Sequence, residues 1–277
     1  MSNSINFGVS PYRTVMALDR VNSLLASNME RLSTGLRVNR AADDPAGLAV
    51  ALQLSAQDSS ASQALRNTAQ GTSIIQTAEG AMGEIGNILD RMRELAVQSS
   101  SETLTSSQRS DIDDEFEEMS AEIDRISAAT EYNDIKLTDG STTSLNVQVG
   151  IDGSASSQIA ISFSDVDATA LRVDNGTIDM STASGASSAI DRIDTAIDTI
   201  AGERASLGAS ANRLESASSY MTEMQLATRS AHASIMDADM AWEMAESSRL
   251  QVIQAGGIAA LAQARNINVS IIGLLSS

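Results

Sequence analysis

The sequence has no cysteine, few aromatic residues, two prolines and a single lysine. Without cysteine the chain can hold neither a disulfide framework nor a thiolate metal site, and thiol chemistry is excluded. Both prolines, Pro11 and Pro45, lie near the start, so long helices are permitted through almost all of the chain. With 3% aromatic residues and abundant Ala, Ser, Ile, Leu and Met, the composition favours helices that pack through small side chains.

Positive charge is also scarce. The chain has 36 acidic against 18 basic residues, a formal net charge of -18, and this balance argues against nucleic acid as a partner. No run of about 18 apolar residues exists, so membrane insertion is not expected. Residues 1–20 show no basic segment followed by an apolar core and a cleavage site, so we expect any export to use a route without a cleaved signal peptide.

Apolar residues recur at alternating steps of three and four, the spacing of packed helices. The first such seam begins at Val15 and includes polar Asn22, which we interpret as a register-setting residue. The five seams are Val15, Leu18, Leu25, Met29, Leu32, Leu36; Ile75, Ala78, Met82, Ile85, Leu89, Met92, Ala96; Ile112, Phe116, Met119, Ile123, Ile126; Ile190, Ile193, Ile197, Ile200, Leu207, Leu214, Met221; and Leu250, Ile253, Gly257, Ala260, Ala264, Ile267, Ile271, Leu274.

Three breaks separate the first four of these seams. "STGLRVNRAADDPAG" is a predicted linker in which Asp43 or Asp44 caps a helix begun by Pro45. "SSSETLTSSQRSD" is a predicted turn between two antiparallel helices, and "SLNVQVGIDGSASSQIAISF" alternates around a turn like a β-hairpin. Residues 164–185 are predicted to be a polar surface loop. The predicted fold is therefore mainly α, a long coiled-coil-like helical bundle built from both termini with a small β-hairpin in the middle.

The segment "NINVSIIGLLSS", residues 266–277, holds six large apolar residues and no charge. Burying them would contribute on the order of 10 kcal/mol. Ordering the backbone costs about 1 to 2 kcal/mol of conformational entropy per residue, so the tail folded alone is near balance or below it. Apolar residues such as Val252 and Ile258 also lie off the seam. We therefore expect a tail that is poorly ordered in the monomer and becomes a buried helix in a multi-chain assembly. The alternatives are packing on the chain's own body and, less favoured, a membrane-surface helix, because only Arg249 and Arg265 flank it.

Signals for catalysis are few. His232 is the only histidine, so a His-based metal set is excluded, and neither an enzyme activity nor a cofactor is expected. The acidic run "DIDDEFEEMSAEID" is typical of a solvated helix face. Gly256 and Gly257 follow no strand and precede no lysine, which favours close helix packing over a phosphate loop.

Three motifs, "RLSTGLRVNRAADDPAGLAVA", "LDRMRELAVQSS" and "LQVIQAGGIAALAQARN", closely resemble bacterial flagellin in sequence and in order. The resemblance implies a structural subunit that self-assembles into the extracellular flagellar filament for motility. It also implies an inner-tube D0 region at residues 1–44 and 237–277. The D1 region would comprise a helical hairpin and β-hairpin at 45–185 and a helix at 186–236.

The resemblance implies partners and site residues as well. The partners are other copies of the chain, a flagellar export chaperone, and the filament cap and hook-junction proteins. Flagellins sensed by the animal flagellin-sensing Toll-like receptor present an Arg, a Leu and a Glu, and the residues of this chain that match them are Arg91, Leu95 and Glu115. Arg91 and Leu95 would in any case lie in subunit contacts of the filament. The assembly candidates in the D0 helices are Val15, Leu18, Leu25, Met29, Leu32, Leu250, Ile253, Ile267, Ile271, Ile272, Leu274 and Leu275.

Other functions stay open from sequence. A hook–filament junction protein would share the ends, an enzyme-bearing flagellin would need a catalytic insert, and a soluble coiled-coil adaptor would leave the apolar tail unexplained. Residues 101–140 hold twelve acidic and three basic residues, so we expect added salt to promote polymerisation.

Overall fold

A computed structural model describes the backbone of residues 9–275 and the side-chain environments of residues 12–266. The protein is mainly α-helical with two small antiparallel strand pairs, which confirms the predicted fold class. The helices are α1 (Val9–Thr34), α2 (Pro45–Ser99), α3 (Ser106–Ala129), α4 (Ala183–Met236) and α5 (Met240–Leu275). The strands are β1 (Glu131–Tyr132), β2 (Ile135–Lys136), β3 (Ser144–Gln148) and β4 (Gln158–Ser162).

The chain forms two compact units. The terminal unit comprises Met1–Ala56 and Ala227–Ser277, and the central unit comprises Gln57–Leu226. Helices α2 and α4 therefore contribute residues to both units. The boundaries predicted from the sequence between the D0 and D1 regions lie after residues 44 and 236. These limits stay a prediction.

In the central unit, α2 and α3 form the expected antiparallel hairpin. Arg91 of α2 pairs with Glu115 of α3, and Arg109 of α3 bonds to the carbonyl of Ser99 at the end of α2. Thr105 begins α3 through a capping box, because its hydroxyl accepts from the backbone N–H of Gln108 and the Gln108 side chain accepts in return. The predicted turn is confirmed.

The core of the central unit is built from the seams of α2, α3 and α4. Every seam residue of α2 is buried, and the seam residues of α3 and α4 are buried or half-buried. Since alternating steps of three and four keep one face of each helix inward, these three predicted faces are confirmed. The largest fully buried side chains of the helices are Phe116, Ile75, Met82, Ile85, Leu89, Met92, Leu95, Ile123 and Ile193.

The predicted β-hairpin is formed by β3 and β4, with Leu145 opposite Ile161 and Val147 opposite Ile159. Its inward side chains join the helical core. Gly71 of α2 permits this packing, because a Cβ there would lie 3.1 Å from both Val147 and Leu214.

The segment between β4 and α4 corrects the prediction of a surface loop. It is irregular, but its apolar side chains enter the core, and its polar residues face outward. Carboxylates of α3 hold its backbone: Asp124 accepts from the N–H of Ala168 at 2.8 Å, and Asp113 accepts from the N–H of Met180 at 3.1 Å. The acidic face of α3 is therefore not wholly solvated. The buried apolar residues of this segment are Val166, Ala168, Leu171, Val173, Ile178 and Met180.

Candidate assembly interface

The terminal unit has two arms, α1 with the linker that follows it and α5 with the residues just before it. The arms meet at an antiparallel bridge between Leu36 and Asp237. The N–H of Arg37 donates to the carbonyl of Met236 at 2.6 Å, and the N–H of Ala238 donates to the carbonyl of Gly35 at 2.9 Å. Gly35 ends α1 with a φ of +72°, a conformation that glycine adopts without a steric penalty. A small apolar cluster, formed by Val38, Ala51 and Met236 with Leu36, Leu48 and Ile235, closes this junction.

Two adjacent aspartates organise the linker between α1 and α2. The Asp44 carboxylate accepts from the N–H of Gly47 at 2.8 Å, so Asp44 caps the helix that Pro45 begins. The Asp43 carboxylate instead accepts from the N–H groups of Arg40 at 2.9 Å and Asn39 at 3.1 Å. These two backbone bonds, first that of Arg40, lower the pKa of Asp43. Of the two predicted caps, the structure selects Asp44.

Helices α1 and α5 form an antiparallel pair. Three contacts define its register: Asn28 with Glu243, Asn22 with Gln254, and Leu18 with Gly257. At the last of these, a Cβ on Gly257 would lie 2.9 Å from Leu18 Cδ2, so this glycine permits close approach of the helices, as the sequence predicted. Gly256 faces open space and has no such role.

A polar cluster that sequence reasoning missed lies where α5 begins, near the bridge between Leu36 and Asp237. Asn28 Nδ2 donates to the backbone carbonyl of Glu243 at 3.0 Å and also to its carboxylate. Arg31 forms a 3.4 Å ion pair with the same carboxylate. The bond between Asn22 and Gln254, 2.7 Å long, lies at the exposed edge instead. Asn28 lies off the first seam, and Glu243 lies one heptad before Leu250, where the fifth seam begins, so the apolar pattern predicted the burial of neither.

The structure places the predicted assembly residues along this pair in three groups. Leu250 is buried, Leu18, Leu25 and Leu32 are half-buried, and the remaining described seam residues are exposed. The exposed group is Val15, Met29 and Ile253. Predictions for Ile267, Ile271, Ile272, Leu274 and Leu275 lie outside the described side chains.

Much of the apolar surface of both arms stays open to solvent. Val252 is 72% exposed and Trp242, the only tryptophan, is 58% exposed. A contiguous set of exposed large apolar residues is typical of a surface that another molecule covers. The other exposed large apolar residues of α1 and α5 are Tyr12, Val15, Met16, Leu24, Met29, Met240, Met244, Ile253 and Ile258.

The three candidate recognition residues lie in the central unit. Arg91 bridges Glu115 and Glu94, each at 2.9 Å, and the bond to Glu115 is the main cause that raises the pKa of Arg91. Arg91 and Glu115 are both exposed. Leu95, in contrast, is 1% exposed and belongs to the core, so it supports this surface from below.

Comparison with known proteins gives the family. The model of the bacterial flagellin N-terminal helical region matches residues 5–143, and that of the bacterial flagellin C-terminal helical region matches residues 190–275. The chain belongs to the bacterial flagellin family. It is a structural subunit of the flagellar filament.

Relatives of this flagellin match along most of its length. A flagellin of Halalkalibacterium halodurans is 40% identical over 89% of this chain and 90% of its own. A flagellin of Bacillus subtilis is 35% identical over 98% of this chain and 99% of its own. The flagellar filament 31.3 kDa core protein of Treponema maltophilum is 33% identical over 98% of this chain and 99% of its own.

Solved structures agree with the fold. The crystal structure of Bacillus cereus flagellin superposes with a TM-score of 0.50 at 30% identity, covering 56% of this chain and 88% of that chain. The structure of a putative flagellar hook-associated protein from Vibrio parahaemolyticus reaches a TM-score of 0.59 at 14% identity, and the match covers 70% of this chain and 100% of that chain. This second likeness shows the fold alone, and the hook-junction alternative is not better supported.

Flagellin is a structural protein family. Within residues described by the structure, no three His, Asp or Glu side chains are grouped to hold a metal ion. Among the described helices, none is long and apolar enough to cross a bilayer.

Proposed function

We propose that the paired arms α1 and α5 of this flagellin are the surface through which copies of the chain assemble into the filament interior. The observation that carries this proposal is the exposed apolar surface of both arms, which contrasts with the closed core of the central unit. Covering such surface with neighbouring copies removes it from water, at about 25 cal/mol per Å2. Self-association is therefore the favourable outcome at high concentration.

The proposal includes the limits of the D0 and D1 regions. Residues 1–44 and 237–277 form the D0 region, and residues 45–236 form the D1 region. The polar cluster of Asn28 and Glu243 then lies in D0, and the candidate recognition residues lie in D1. Deleting residues 266–277 tests the role of the tail, because it removes six large apolar residues without touching D1. We expect the truncated chain to stay monomeric in electron micrographs, and long filaments would contradict the proposal.

A substitution at one exposed position gives a sharper test. In Val252→Asp a carboxylate would be buried by neighbouring copies without a partner, a cost of several kcal/mol. Val252→Leu keeps the position apolar and is the matched control. We expect Val252→Leu to form filaments and Val252→Asp to remain small by light scattering, with equal far-UV circular dichroism. Equal polymerisation of the two variants would contradict burial of this face.

We further propose that an export chaperone covers the same arm before assembly, and that cap and hook-junction proteins contact the growing filament. These partners rest on the family resemblance and on the exposed apolar face of α5. Export through the flagellar route then needs no cleaved signal peptide. The test is complex formation between the chaperone and the free chain in gel filtration. We expect deletion of residues 266–277 to abolish the complex, and an unchanged complex would contradict the proposal.

A secondary proposal is that the animal flagellin-sensing Toll-like receptor recognises the exposed pair of Arg91 and Glu115, with Leu95 supporting it from the core. The pair is accessible in the free chain, which supports the proposal. Arg93→Ala is the matched control, because Arg93 is also exposed on α2 and also pairs with a carboxylate, Asp194. We expect Arg91→Ala with Glu115→Ala to reduce signalling by purified monomer in reporter cells and Arg93→Ala to preserve it. Unchanged signalling in the double variant would contradict the receptor role.

A further inference from the structure

The exposed apolar surface of the two arms contains a set of methionines. Met16 of α1 is 58% exposed and Met244 of α5 is 62% exposed. Among the methionines whose side chains the structure describes, the exposed ones all lie in the arms, and they are Met16, Met29, Met240 and Met244. We call these four the arm methionines. Their thioether groups are open to small molecules in water.

The central unit keeps its methionines away from solvent. Met82, Met92 and Met180 are 0% exposed. One chain therefore holds two sets of methionines, which share their chemistry and differ in access. This difference does not depend on pairing of α1 with α5 in the free chain, because arms that separate would expose their contact residues further.

Methionine reacts with peroxides without help from a cofactor. The sulfur attacks one oxygen of hydrogen peroxide, an S–O bond forms as the O–O bond breaks, and the other oxygen leaves as water with both protons. The sulfur loses two electrons and the peroxide gains them. The product, methionine sulfoxide, is polar where the thioether was apolar, and such a change disrupts interfaces that contain methionine.

We propose that the arm methionines are oxidation sites through which a peroxide prevents the free chain from joining the filament. The proposal rests on the proposed function, because neighbouring copies would have to bury the sulfoxide oxygens against apolar side chains. Copies that already cover the arms also shield these methionines, so the oxidation acts before assembly. Methionine sulfoxide reductases reverse it.

Peptide mass spectrometry locates the oxidation in the full chain. Free chain and assembled filaments receive the same dose of hydrogen peroxide, and excess free methionine stops the reaction. In free chain we expect sulfoxide at the arm methionines, with little at Met82, Met92 and Met180 as internal controls. In filaments we expect the arm methionines to be protected. Equal oxidation of arm and core methionines in free chain would overturn the assignment of the sites.

Polymerisation of the oxidised chain tests the consequence. By light scattering, we expect the concentration needed for polymerisation to rise by about tenfold or more. The matched control replaces all four arm methionines by leucine, which keeps the arms apolar and forms no sulfoxide. Peroxide should leave the polymerisation of this fourfold variant unchanged. Normal polymerisation of the oxidised original chain, or equal inhibition of both chains, would overturn the proposal.

A reductase experiment covers the case in which the fourfold variant does not polymerise. Methionine sulfoxide reductases should restore polymerisation of the oxidised original chain, and continued inhibition after the sulfoxides are gone would overturn the proposal. Val252→Asp and Val252→Leu contain the same methionines and test burial of the arms without peroxide. If that pair behaves as expected while the oxidised chain polymerises normally, the oxidation proposal fails and the proposed function stands. Equal polymerisation of that pair contradicts the proposed function itself.

Discussion

Arg109 Nε donates to the backbone carbonyl of Ser99 at 2.9 Å, across the turn that joins α2 to α3. Its other nitrogens donate to the carbonyls of Leu104 at 3.0 Å and Ser101 at 2.6 Å. Arg109 is 7% exposed, so its guanidinium is a buried clamp on three carbonyls of one turn.

Replacing this clamp should destabilise the central unit. Arg109→Met preserves most of the side-chain volume but leaves three carbonyls without their donor, and we expect a loss of about 2 to 4 kcal/mol in the free energy of unfolding. Arg125→Met is the matched control, because Arg125 is exposed and pairs with Glu122 within the same helix. We expect less than about 0.5 kcal/mol there. Urea unfolding followed by circular dichroism measures both, and equal losses would contradict the clamp.

Protonation of Asp43 at low pH should weaken the structure of the loop between α1 and α2. Its folded pKa lies below the ordinary value of 3.8, because the N–H groups of Arg40 and Asn39 donate to the carboxylate. A lowered folded pKa stabilises the loop above the unfolded pKa, and this contribution is lost as the pH falls through the folded pKa. We expect the amide protons of Arg40 and Asn39 to lose exchange protection below about pH 3.8. In Asp43→Asn this step should be absent, and a step that persists there would contradict the assignment.

Two adjacent glycines of α5 should respond differently to alanine. Both changes raise helix propensity, by about 0.5 to 1 kcal/mol. A Cβ at Gly256 meets no atom within 4 Å, whereas a Cβ at Gly257 lies 2.9 Å from Leu18 Cδ2. We expect Gly256→Ala to increase the exchange protection of α5 in free chain and Gly257→Ala to increase it less or to decrease it. A larger gain in Gly257→Ala would contradict close packing at Leu18.

Added salt should promote polymerisation. The net charge of -18 makes copies of the chain repel one another, and salt screens this repulsion within a Debye length of about 10 Å at 0.1 M. Light scattering at increasing salt measures the effect. Replacing the exposed acids Asp114 and Glu118 by lysine should weaken the salt dependence. Filament yield that falls as salt rises would contradict this account.

Sequence alone predicted the helices and faces of the central unit, because spacing of three and four determines which side chains point inward. Ile85 and Leu89 are buried for that reason alone. The spacing of apolar residues could not predict which polar residues are buried, since their burial depends on the partner helix. The sequence singled out Asn22, whereas the buried asparagine of α1 is Asn28.

The segment after β4 shows a second limit. Its abundance of Ser, Thr and Asp predicted a surface loop, yet Val166 and Val173 are fully buried. Composition averages over a segment, whereas burial is decided residue by residue by the helices beneath it. Leu95 is a similar case, because a motif identifies it without showing that its side chain faces the core.

Asn28 and Glu243 are separated by 215 residues in the sequence. Bringing such distant residues together costs chain entropy, whereas the hairpin of α2 and α3 closes over a few residues. We therefore expect a time order in folding, in which the central unit forms first and shortens the remaining search. During synthesis α1 appears first and α5 last, so the first helix made is among the last to find its partner.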